Sequence, residues 1–568
     1  MHVSIAQMMP SHDGVRLATD VLRPDGPGPF PAILIRTCYY RRQFSGGIFL
    51  DAMKRFVKRG YAVVIQDVRG KFDSDGVFNP LVDEEDDGAA ALDWVANQRW
   101  CNGRIGFWGR SYLGMVQVPA ASHGHPALKA IAPSIGAGNY FRDWIRYDGC
   151  FGLYNAMRWC LEYTSCRTEP PIAHFDFADA WGATSIEDLA RRTGIHAPML
   201  GEWARHDRED EYWTRLDHGP MYSRIQTPGY HVAGWFDHVS RGPFEAYRAI
   251  SDRGATEIAR GEQRLLVAPY SHRDFKVNAP MDSLTRKGDW NFGAVAAIDV
   301  LDHELRFFDH FVGQIDNGFD SEPKVKAFLL GDNRWVSFSD WPPPGFEIQA
   351  WYLSSSRRAN QKFGDGQMSR EQATRDAADT CVHDPANPVM THGGQIFWGH
   401  AEQLGNCLGP VDQRKLLTRQ DVYYYRSEPL DRSLAVVGEP ILEVTITSDA
   451  DDTDVIAKLC VELPSGEVVS LSIGQLRCRY RDSFAHPKPL VRDQPTALRI
   501  RLHSIAYRFP AGAHIGLIIA HSDFPRINAH PGTMDPPLNG SASRCANNAI
   551  LHGPAALSRV LLPVVELQ

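Results

Sequence analysis

The first third of the chain alternates short apolar runs with amphipathic stretches. Four runs rich in β-branched residues, apolar on consecutive positions, predict strands covered on both faces: FPAILIRT (30–37), YAVVIQDVRG (61–70), RIGFWGRS (104–111) and ALKAIAPSIG (127–136). The segments 51–58 and 83–98 have a helical pattern, and the second opens with acidic residues, which favour the start of a helix. Ahead of them, Asp13-Gly14 predicts the turn of an antiparallel hairpin. This alternation is typical of a parallel α/β domain with an antiparallel edge.

An aromatic, helical segment then interrupts this pattern. Residues 138–226 include the run NYFRDWIRYDGCFGLYNAMRWCLEY and show no strand pattern, which predicts a helical insertion. The α/β pattern resumes with strands over 227–237 and 262–272 and a helix over 297–312. We therefore expect one α/β domain in two parts, 1–137 and 227–338, split around the insertion.

Strand patterns dominate the rest of the chain. The segment DWPPPG (340–345) contains three prolines and predicts a stiff linker. Six later segments read as strands: EIQAWYL, DVYYYRS, ILEVTITS, SLSIGQLRCRY, ALRIRLHSIAYRF and HIGLIIAHS. They predict an all-β sandwich over 339–568. The fold class is therefore α/β, followed by an all-β domain.

The composition narrows the range of functions. The 568 residues are 43% hydrophobic and 23% charged, which is typical of a folded chain with two or three domains. The net charge of −8 and the lack of a dense basic stretch argue against binding to nucleic acid or to an anionic membrane. The N-terminus shows no charged leader followed by an apolar run, and no later run approaches membrane-spanning length, so we expect a cytoplasmic protein. The sequence does not decide between a monomer and a homo-oligomer.

The residues that commonly bind metals are scattered. The ten cysteines show no metal-binding spacing, and we expect most of them to be buried thiols, although a disulfide among Cys150, Cys160 and Cys166 stays open. The two histidines of SHGHP (122–126) lack a third ligand, and the DSDG turn (73–76) lacks the remaining positions of a calcium loop. We therefore expect neither a metal nor an organic cofactor.

One serine lies at a tight corner of the chain. In GFWGRSYLGM (106–115), Ser111 follows a predicted strand and precedes a predicted helix over 112–123, with Gly109 and Gly114 on either side. A strand-turn-helix context of this kind is typical of a nucleophile elbow. The usual pattern is G-x-S-x-G, whereas here Leu113 holds the second glycine's place. An inert serine in a glycine-bracketed turn is the alternative.

A serine nucleophile needs a base and an orienting acid, which follow it in the order acid then histidine in α/β-hydrolases. Asp237 and His272 each follow a predicted strand and fit these roles. The alternatives are a helix cap for Asp237 and a surface imidazole for His272. His238 is a weaker candidate for the base, because it would share a turn with its own acid.

The segments GRSYLG, GWFD, APYSH, IRTCYY and GYAVVIQDVRG, together with the terminal β domain, resemble the cocaine esterase and X-prolyl dipeptidyl aminopeptidase family. This family also includes α-amino acid ester hydrolases and some β-lactam acylases. The resemblance implies an α/β-hydrolase domain, an inserted helical cap and a C-terminal jelly roll. It implies Ser111 as nucleophile, Asp237 as orienting acid and His272 as general base. The family pattern G-x-S-Y-x-G accounts for the displaced glycine.

The resemblance also implies an oxyanion hole. Tyr39 matches the family's donor tyrosine, and the residue after the nucleophile, Tyr112, would supply its backbone N–H. Relatives commonly have Asn-Pro before that tyrosine, whereas this chain has Thr37-Cys38. Tyr40 therefore stays open as the donor, as does a packing role for both tyrosines.

Five aromatic residues of the insertion are candidates for an acyl or leaving-group pocket: Trp144, Tyr147, Phe151, Tyr154 and Trp159. Their helical spacing is equally typical of a packed core.

These features predict a serine esterase or acyl hydrolase that cleaves a small-molecule ester or activated amide through an acyl-enzyme. An X-Pro dipeptidyl peptidase, or an α-amino acid ester hydrolase or β-lactam acylase, is the alternative. An X-Pro dipeptidyl peptidase or an α-amino ester hydrolase would need a carboxylate for the substrate's ammonium group. The insertion contains four candidates for it: Asp143, Asp148, Glu162 and Asp210. A non-catalytic carbohydrate-binding protein is a remote third reading.

Overall fold

The computed structural model describes residues 1–42, 50–164, 167–168, 177–276, 279–356, 358–361, 364–396 and 408–567. The strands of the first 338 residues are β1 (His2–Pro10), β2 (Arg16–Arg23), β3 (Phe30–Thr37), β4 (Ala62–Asp67), β5 (Cys101–Arg110), β6 (Leu128–Ser134), β7 (Arg146–Tyr147), β8 (Cys150–Phe151), β9 (Gly229–Gly234), β10 (Gln263–Ala268), β11 (Arg286–Lys287), β12 (Trp290–Asn291), β13 (Val325–Leu329) and β14 (Arg334–Phe338).

Ten of these strands form one sheet in the order β1-β2-β4-β3-β5-β6-β9-β10-β13-β14. The strands from β4 to β13 in this order run parallel, and the edge pairs β1–β2, β2–β4 and β13–β14 are antiparallel. Every residue of β4, β9 and β10 is buried, as the continuous apolar runs predicted. Because the parallel strands point the same way, the residues that follow β3, β5, β9 and β10 all lie at one edge of the sheet.

The α-helices of the described residues are mostly short. They are α1 (Leu50–Lys58), α2 (Glu84–Ala96), α3 (Tyr112–Met115), α4 (Gln117–Ala121), α5 (Tyr140–Asp143), α6 (Leu153–Trp159), α7 (Phe177–Trp181), α8 (Ile186–Thr193), α9 (Pro198–Arg205), α10 (Glu211–Thr214), α11 (Arg241–Arg253), α12 (Glu257–Gly261), α13 (Met281–Thr285) and α14 (Val300–Phe311). The single helix expected over 112–123 is divided into α3 and α4. Pro119 explains the break, because it has no N–H to donate within a continuous helix.

The segment between β6 and β9 contains α5 to α10, a π-helical turn (Cys160–Thr164) and a 3₁₀ turn (Met221–Arg224). The sequence pattern predicted no strand here, but β7 and β8 pair in a small hairpin. Each of these strands has two residues, which is too short to produce a recognisable alternation. Cys150 and Cys160 are free thiols, and Cys166 lies outside the described residues.

The C-terminal part is rich in β-strands. These are β15 (Glu347–Ser354), β16 (Gln367–Ser369), β17 (Ala377–His383), β18 (Val422–Ser427), β19 (Leu434–Gly438), β20 (Ile441–Ser448), β21 (Asp454–Glu462), β22 (Val468–Arg477), β23 (Thr496–Arg501), β24 (Ile505–Phe509), β25 (His514–Ala520), β26 (Ala546–His552) and β27 (Arg559–Val564). All are connected through hydrogen-bonded pairs, almost all of them antiparallel. The single strand predicted over 497–509 is two strands, β23 and β24, and residues 503–504 between them belong to neither.

Shorter 3₁₀ turns complete the described elements, at His272–Phe275, Ala294–Ala296, Phe319–Ser321, Gln413–Thr418 and Cys478–Tyr480. None of the helices that the structure describes has the length and apolar character required to cross a membrane.

The first part of the proline-rich linker packs against the α/β domain, whereas Pro344 and Gly345 are exposed. The ring of Trp341 is buried and lies 5.1 Å from Phe244 and 6.0 Å from Trp235, measured between ring centroids. The hydroxyl of Tyr247 donates a 3.0 Å hydrogen bond to the carboxylate of Asp340. The start of the linker is therefore fixed to the α/β domain by apolar contacts and a hydrogen bond.

Candidate active site

Ser111 lies in a sharp turn between β5 and α3. Its backbone has φ 60° and ψ −128°, a conformation that costs a residue with a side chain about 1–3 kcal/mol. A Cβ atom on Gly109 would lie 2.4 Å from the Cβ of Leu113, and one on Gly114 would lie 2.7 Å from the carbonyl oxygen of Ser134. The second glycine is therefore needed at position 114, where the helix crosses β6. This contact explains the departure from the G-x-S-x-G spacing.

Three predicted side chains meet at the carboxyl edge of the sheet. Nε2 of His272 lies 2.8 Å from Oγ of Ser111. Nδ1 of the same ring lies 3.0 Å and 2.9 Å from the two carboxylate oxygens of Asp237. One imidazole thus bridges a hydroxyl and a carboxylate, which is the arrangement that can move a proton off the serine.

The carboxylate of Asp237 is fully buried, and its side-chain partner is His272 rather than the start of a helix. Burial alone would raise its pKa, but the charge of His272 and hydrogen bonds from His238 and His272 lower the pKa of Asp237 below its usual value. The backbone N–H of Val239 also donates to it over 3.1 Å. Helix α11 begins four residues later, with Ser240 as its N-cap, so the helix-cap alternative is wrong.

His238 contacts the acid from a second side. Its Nδ1 lies 3.0 Å from Oδ1 of Asp237, and its ring packs edge-on against His272 at a centroid distance of 4.8 Å. Burial is the main reason that the pKa of His238 falls to about 4. A neutral His238 can donate one hydrogen bond to Asp237 without adding charge.

Tyr39 and Tyr40 lie in different environments after β3. The hydroxyl of Tyr39 accepts a 3.5 Å hydrogen bond from Nε1 of Trp159 and lies near enough to Ser111 for that side chain to lower the pKa of the phenol. Burial raises the pKa of Tyr39 well above its usual value, so the phenol stays a donor. Tyr40 instead has a φ of 77° and stacks on Phe72 at 4.5 Å.

The second predicted donor is the backbone N–H of Tyr112, the first residue of α3. An N–H group in the first turn of a helix has no partner within that helix. The side chain of Tyr112 points into the interior, where its hydroxyl donates a 2.7 Å hydrogen bond to Glu84 of α2. Glu84 also forms a buried ion pair with Arg36 of β3.

A second buried carboxylate supports the turn from α14. Glu304 accepts hydrogen bonds of 2.8 Å from Arg110, 2.8 Å from Nε1 of Trp108 and 2.7 Å from Oγ of Ser134. Sequence reasoning missed both Glu84 and Glu304. Each lies in a predicted helix, where an acidic residue has an ordinary explanation as a solvent-exposed group.

The five aromatic candidates divide into two groups. Trp159 stacks on Tyr112 at 6.1 Å and so lies beside Ser111, and Trp144 packs edge-on against Trp159 at 5.0 Å. The other three contact groups elsewhere: Tyr147 lies beneath the guanidinium of Arg526, Phe151 beneath that of Arg146, and Tyr154 beside the ring of Trp181. Sequence reasoning missed Tyr163 and Trp203, which pack on Tyr39 at 4.8 Å and on Trp159 at 5.8 Å.

Three of the four carboxylates that could bind an ammonium group are paired within the protein. Glu162 pairs with Arg158, Asp148 with Arg241, and Asp210 with His206. The fourth, Asp143, is buried, and burial raises its pKa well above the usual value.

The two histidines of the SHGHP segment, considered above as metal ligands, contact carboxylates of the protein. His125 lies 2.9 Å from Asp93, and His123 lies 3.6 Å from Asp86. Among the described residues, Asp237, His238 and His272 lie close enough together to hold a metal ion, but His272 hydrogen-bonds to Asp237 and Nδ1 of His238 lies 3.0 Å from the same carboxylate.

The sequence of this chain is similar to those of known hydrolases. Residues 13–274 match the model of the X-Pro dipeptidyl-peptidase (S15) family, and residues 317–561 match that of the X-Pro dipeptidyl-peptidase C-terminal non-catalytic domain. The cocaine esterase of Rhodococcus sp. (strain MB1 Bresler) is 32% identical over 98% of this chain and 98% of its own. The chain belongs to the cocaine esterase and S15 peptidase family.

Solved structures of this family's fold superpose over almost the whole chain. An α-amino acid ester hydrolase has a TM-score of 0.84 and 26% identity, and the match covers 99% of this chain and 96% of that one. An aminopeptidase from the marine sediment archaeon Thaumarchaeota archaeon has a TM-score of 0.84 and 24% identity, and shares the fold. The family's members are serine hydrolases of esters or amides, and this protein is an enzyme of that serine esterase type.

Proposed function

We propose that this enzyme hydrolyses carboxylic esters of small molecules through an acyl-enzyme on Ser111. The observation that carries the proposal is the 2.8 Å contact between Oγ of Ser111 and Nε2 of His272, whose Nδ1 lies within 3.0 Å of Asp237. A serine hydroxyl becomes a useful nucleophile when a base accepts its proton in this way.

The proposed reaction has two halves. His272 takes the proton of Ser111 as the oxygen attacks the ester carbonyl, and it then gives this proton to the departing alcohol. A water molecule enters, gives a proton to His272 and attacks the acyl-enzyme, and Ser111 recovers its proton as the acid leaves. Asp237 orients the imidazole and stabilises its charged form. Apart from the ester and one water molecule, every group that takes part belongs to this chain.

We infer that the hydroxyl of Tyr39 and the N–H of Tyr112 hold the oxyanion. The two residues lie beside Ser111 at the ends of neighbouring strands, and their rings are 6.2 Å apart. Donors fixed before the reaction are effective because they need no reorientation when negative charge develops.

The insertion supports an ester as the substrate rather than a molecule with a free amino group. Arg158 already neutralises Glu162, the described carboxylate in the turn that carries Tyr163. An ammonium group there would reach Oε2 of Glu162, which has no hydrogen bond to the described residues, but the guanidinium already balances the charge of the carboxylate. Trp159, Trp144 and Trp203 pack together next to this turn and make its surroundings apolar and aromatic, which suits an uncharged acyl group.

We further propose that residues 138–226 act as a cap over the site and that the C-terminal β domain is a jelly roll, as the family resemblance implies. The first of these is supported by Trp159, a residue of the insertion that contacts both Tyr39 and Tyr112.

The test compares wild-type enzyme with Ser111→Ala on p-nitrophenyl esters. We expect the variant to lose hydrolysis and labelling by a fluorophosphonate, whereas Ser122→Ala, a buried serine in the turn after α4, should keep both. Hydrolysis that survives in Ser111→Ala would remove the proposal, and an unlabelled wild type would favour a binding protein. Cleavage of an Ala-Pro anilide or a free amino acid ester, with no turnover of acyl esters, would instead establish one of the amine-binding alternatives.

A further inference from the structure

The turn that carries the acid is held by the C-terminal β domain. This acid turn comprises residues 235–241, between β9 and the first residue of α11. Oγ of Ser240 is hydrogen-bonded to Nδ1 of His503, which lies where the chain leaves the sheet between β23 and β24. Both residues are less than 5% exposed, at 4% and 3%.

The hydrogen bond of Ser240 departs from what its sequence position predicts. Ser240 is the N-cap of α11, where a serine hydroxyl usually accepts a hydrogen bond from the helix backbone. Here the side chain makes no capping bond, and its hydroxyl turns to His503 instead. A local bond has thus been exchanged for one between domains.

His503 is itself fixed on its own side. Its N–H donates over 2.9 Å to the carbonyl of Ile473, and its carbonyl accepts a 2.6 Å hydrogen bond from Oγ of Ser472. Burial lowers the pKa of His503 well below its usual value, so the ring is a neutral partner. Its Nδ1 therefore occupies a defined position against the acid turn.

Two more contacts hold the same turn. Nε2 of Gln395 donates a 2.8 Å hydrogen bond to the carbonyl of Trp235, and the guanidinium of Arg241 donates over 2.6 Å to the carbonyl of Arg501. The C-terminal domain thus binds the acid turn on both sides of Asp237. Within the turn, the N–H of Ser240 donates to the carbonyl of Asp237 over 3.3 Å, so a shift of Ser240 moves the acid's own backbone.

We propose that His503 is a positioning residue for the reaction, which acts through Ser240 on the orientation of Asp237 and makes the C-terminal domain part of the catalytic apparatus. This inference rests on the proposed function, because it requires Asp237 to orient His272. A small rotation of the carboxylate would misdirect the imidazole, and errors of about 1 Å in such groups can cost about 100-fold in rate.

The experiment measures kcat and KM for a p-nitrophenyl ester in Ser240→Ala, His503→Leu, His503→Asn and the double variant Ser240→Ala/His503→Leu. We expect His503→Leu to lower kcat by about 10- to 100-fold with KM changed less than about twofold. His503→Asn should recover much of this loss, because its amide can replace Nδ1 as the partner of Ser240. The double variant should be no slower than the worse single variant, since both break one hydrogen bond.

The matched control is His521→Leu. His521 is another buried histidine of the same domain, at 2% exposed, and its Nδ1 bonds the carbonyl of Asp454 instead of the acid turn. Thermal unfolding of each variant identifies those that fold. The proposal is overturned if Ser240→Ala and folded His503→Leu keep the wild-type kcat, or if His521→Leu lowers kcat equally. It is also overturned if the losses of kcat in Ser240→Ala and His503→Leu add up in the double variant. Loss of the proposed function would appear differently, as an active Ser111→Ala.

Discussion

The hydroxyl of Tyr112 donates a 2.7 Å hydrogen bond to the buried carboxylate of Glu84, so the residue after the nucleophile is anchored to the first turn of α2. Arg36 of β3 completes this group through its ion pair with Glu84. Three elements of the α/β sheet domain therefore meet behind Ser111. The backbone N–H of Tyr112 therefore belongs to a residue whose side chain is fixed at its hydroxyl end by Glu84.

Tyr112→Phe should destabilise the fold more than it slows the reaction. The variant loses a hydrogen bond to a charged group, which is worth about 1.5–3 kcal/mol, while its backbone N–H remains. We expect the free energy of unfolding in urea to fall by about that amount and kcat to fall by less than about 10-fold. Tyr424→Phe, which loses a 2.7 Å bond to Glu462 in the C-terminal domain, is the control and should keep full activity. A kcat loss as large as that of Tyr39→Phe would contradict this expectation.

Tyr39→Phe should act on the rate alone. Removing one oxyanion donor costs about 100- to 1000-fold in kcat, which corresponds to about 3–4 kcal/mol, with little change in KM. Tyr40→Phe is the control, because its ring stacks on Phe72 and does not face Ser111 in the described contacts. Steady-state kinetics on one ester would test both. Equal kcat values for the two variants would disprove the assignment of Tyr39 as donor.

Gly114→Ala should disrupt the serine turn. The added Cβ would lie 2.7 Å from the carbonyl oxygen of Ser134, so the helix or the strand must shift. We expect a stability loss of about 1–3 kcal/mol and slower labelling of Ser111 by a fluorophosphonate. Gly261→Ala is the matched control, since a Cβ there meets nothing within 4 Å. A Gly114→Ala enzyme with normal labelling would show that the close contact is not required.

Low pH should lower the free energy of unfolding of the C-terminal domain, because Asp452 becomes protonated. Burial alone would raise its pKa, but His530 and Arg479 lower the pKa of Asp452 to about 2. A carboxylate whose pKa is lower in the folded state stabilises the protein above its unfolded pKa, here 3.8, and loses this effect as the pH falls towards 2. The contribution is on the order of 2 kcal/mol.

Asp452→Asn should therefore be less stable than wild type at pH 7, because Arg479 loses its charged partner. The difference should shrink between about pH 4 and pH 2, where the wild-type carboxylate is protonated. Urea unfolding across this pH range measures the difference, with Asp282→Asn as the control for loss of an exposed carboxylate. A difference that stays constant down to pH 2 would rule out this role.

Much of the α/β domain followed directly from the sequence. The strand predicted over 30–37 is Phe30–Thr37, and the helix predicted over 83–98 is Glu84–Ala96. Continuous apolar runs determine such strands, because a sheet covered on both faces leaves no position for a polar side chain. The order of Ser111, Asp237 and His272 after successive strands could be read for the same reason.

The supporting residues could not be predicted. Glu84, Glu304 and His503 lie far from Ser111 in the chain, and each has an ordinary local explanation in its own segment. Ser240 shows this most clearly. A serine at the N-cap of a helix is expected to hydrogen-bond the helix backbone through its side chain, and Ser240 does not. Side-chain partners across long sequence separations depend on how the elements pack, which local patterns do not encode.

The sequence by itself thus determined the parallel strands, the serine turn and the three side chains at the carboxyl edge of the sheet. Local backbone preference and hydrophobic pattern are enough to specify these features. Only the tertiary structure decided which tyrosine faces Ser111 and why the second glycine is at position 114. It also decided that the C-terminal domain hydrogen-bonds to the acid turn. These features depend on contacts of a few ångströms between residues that are far apart in the sequence. Such contacts form only when the chain folds.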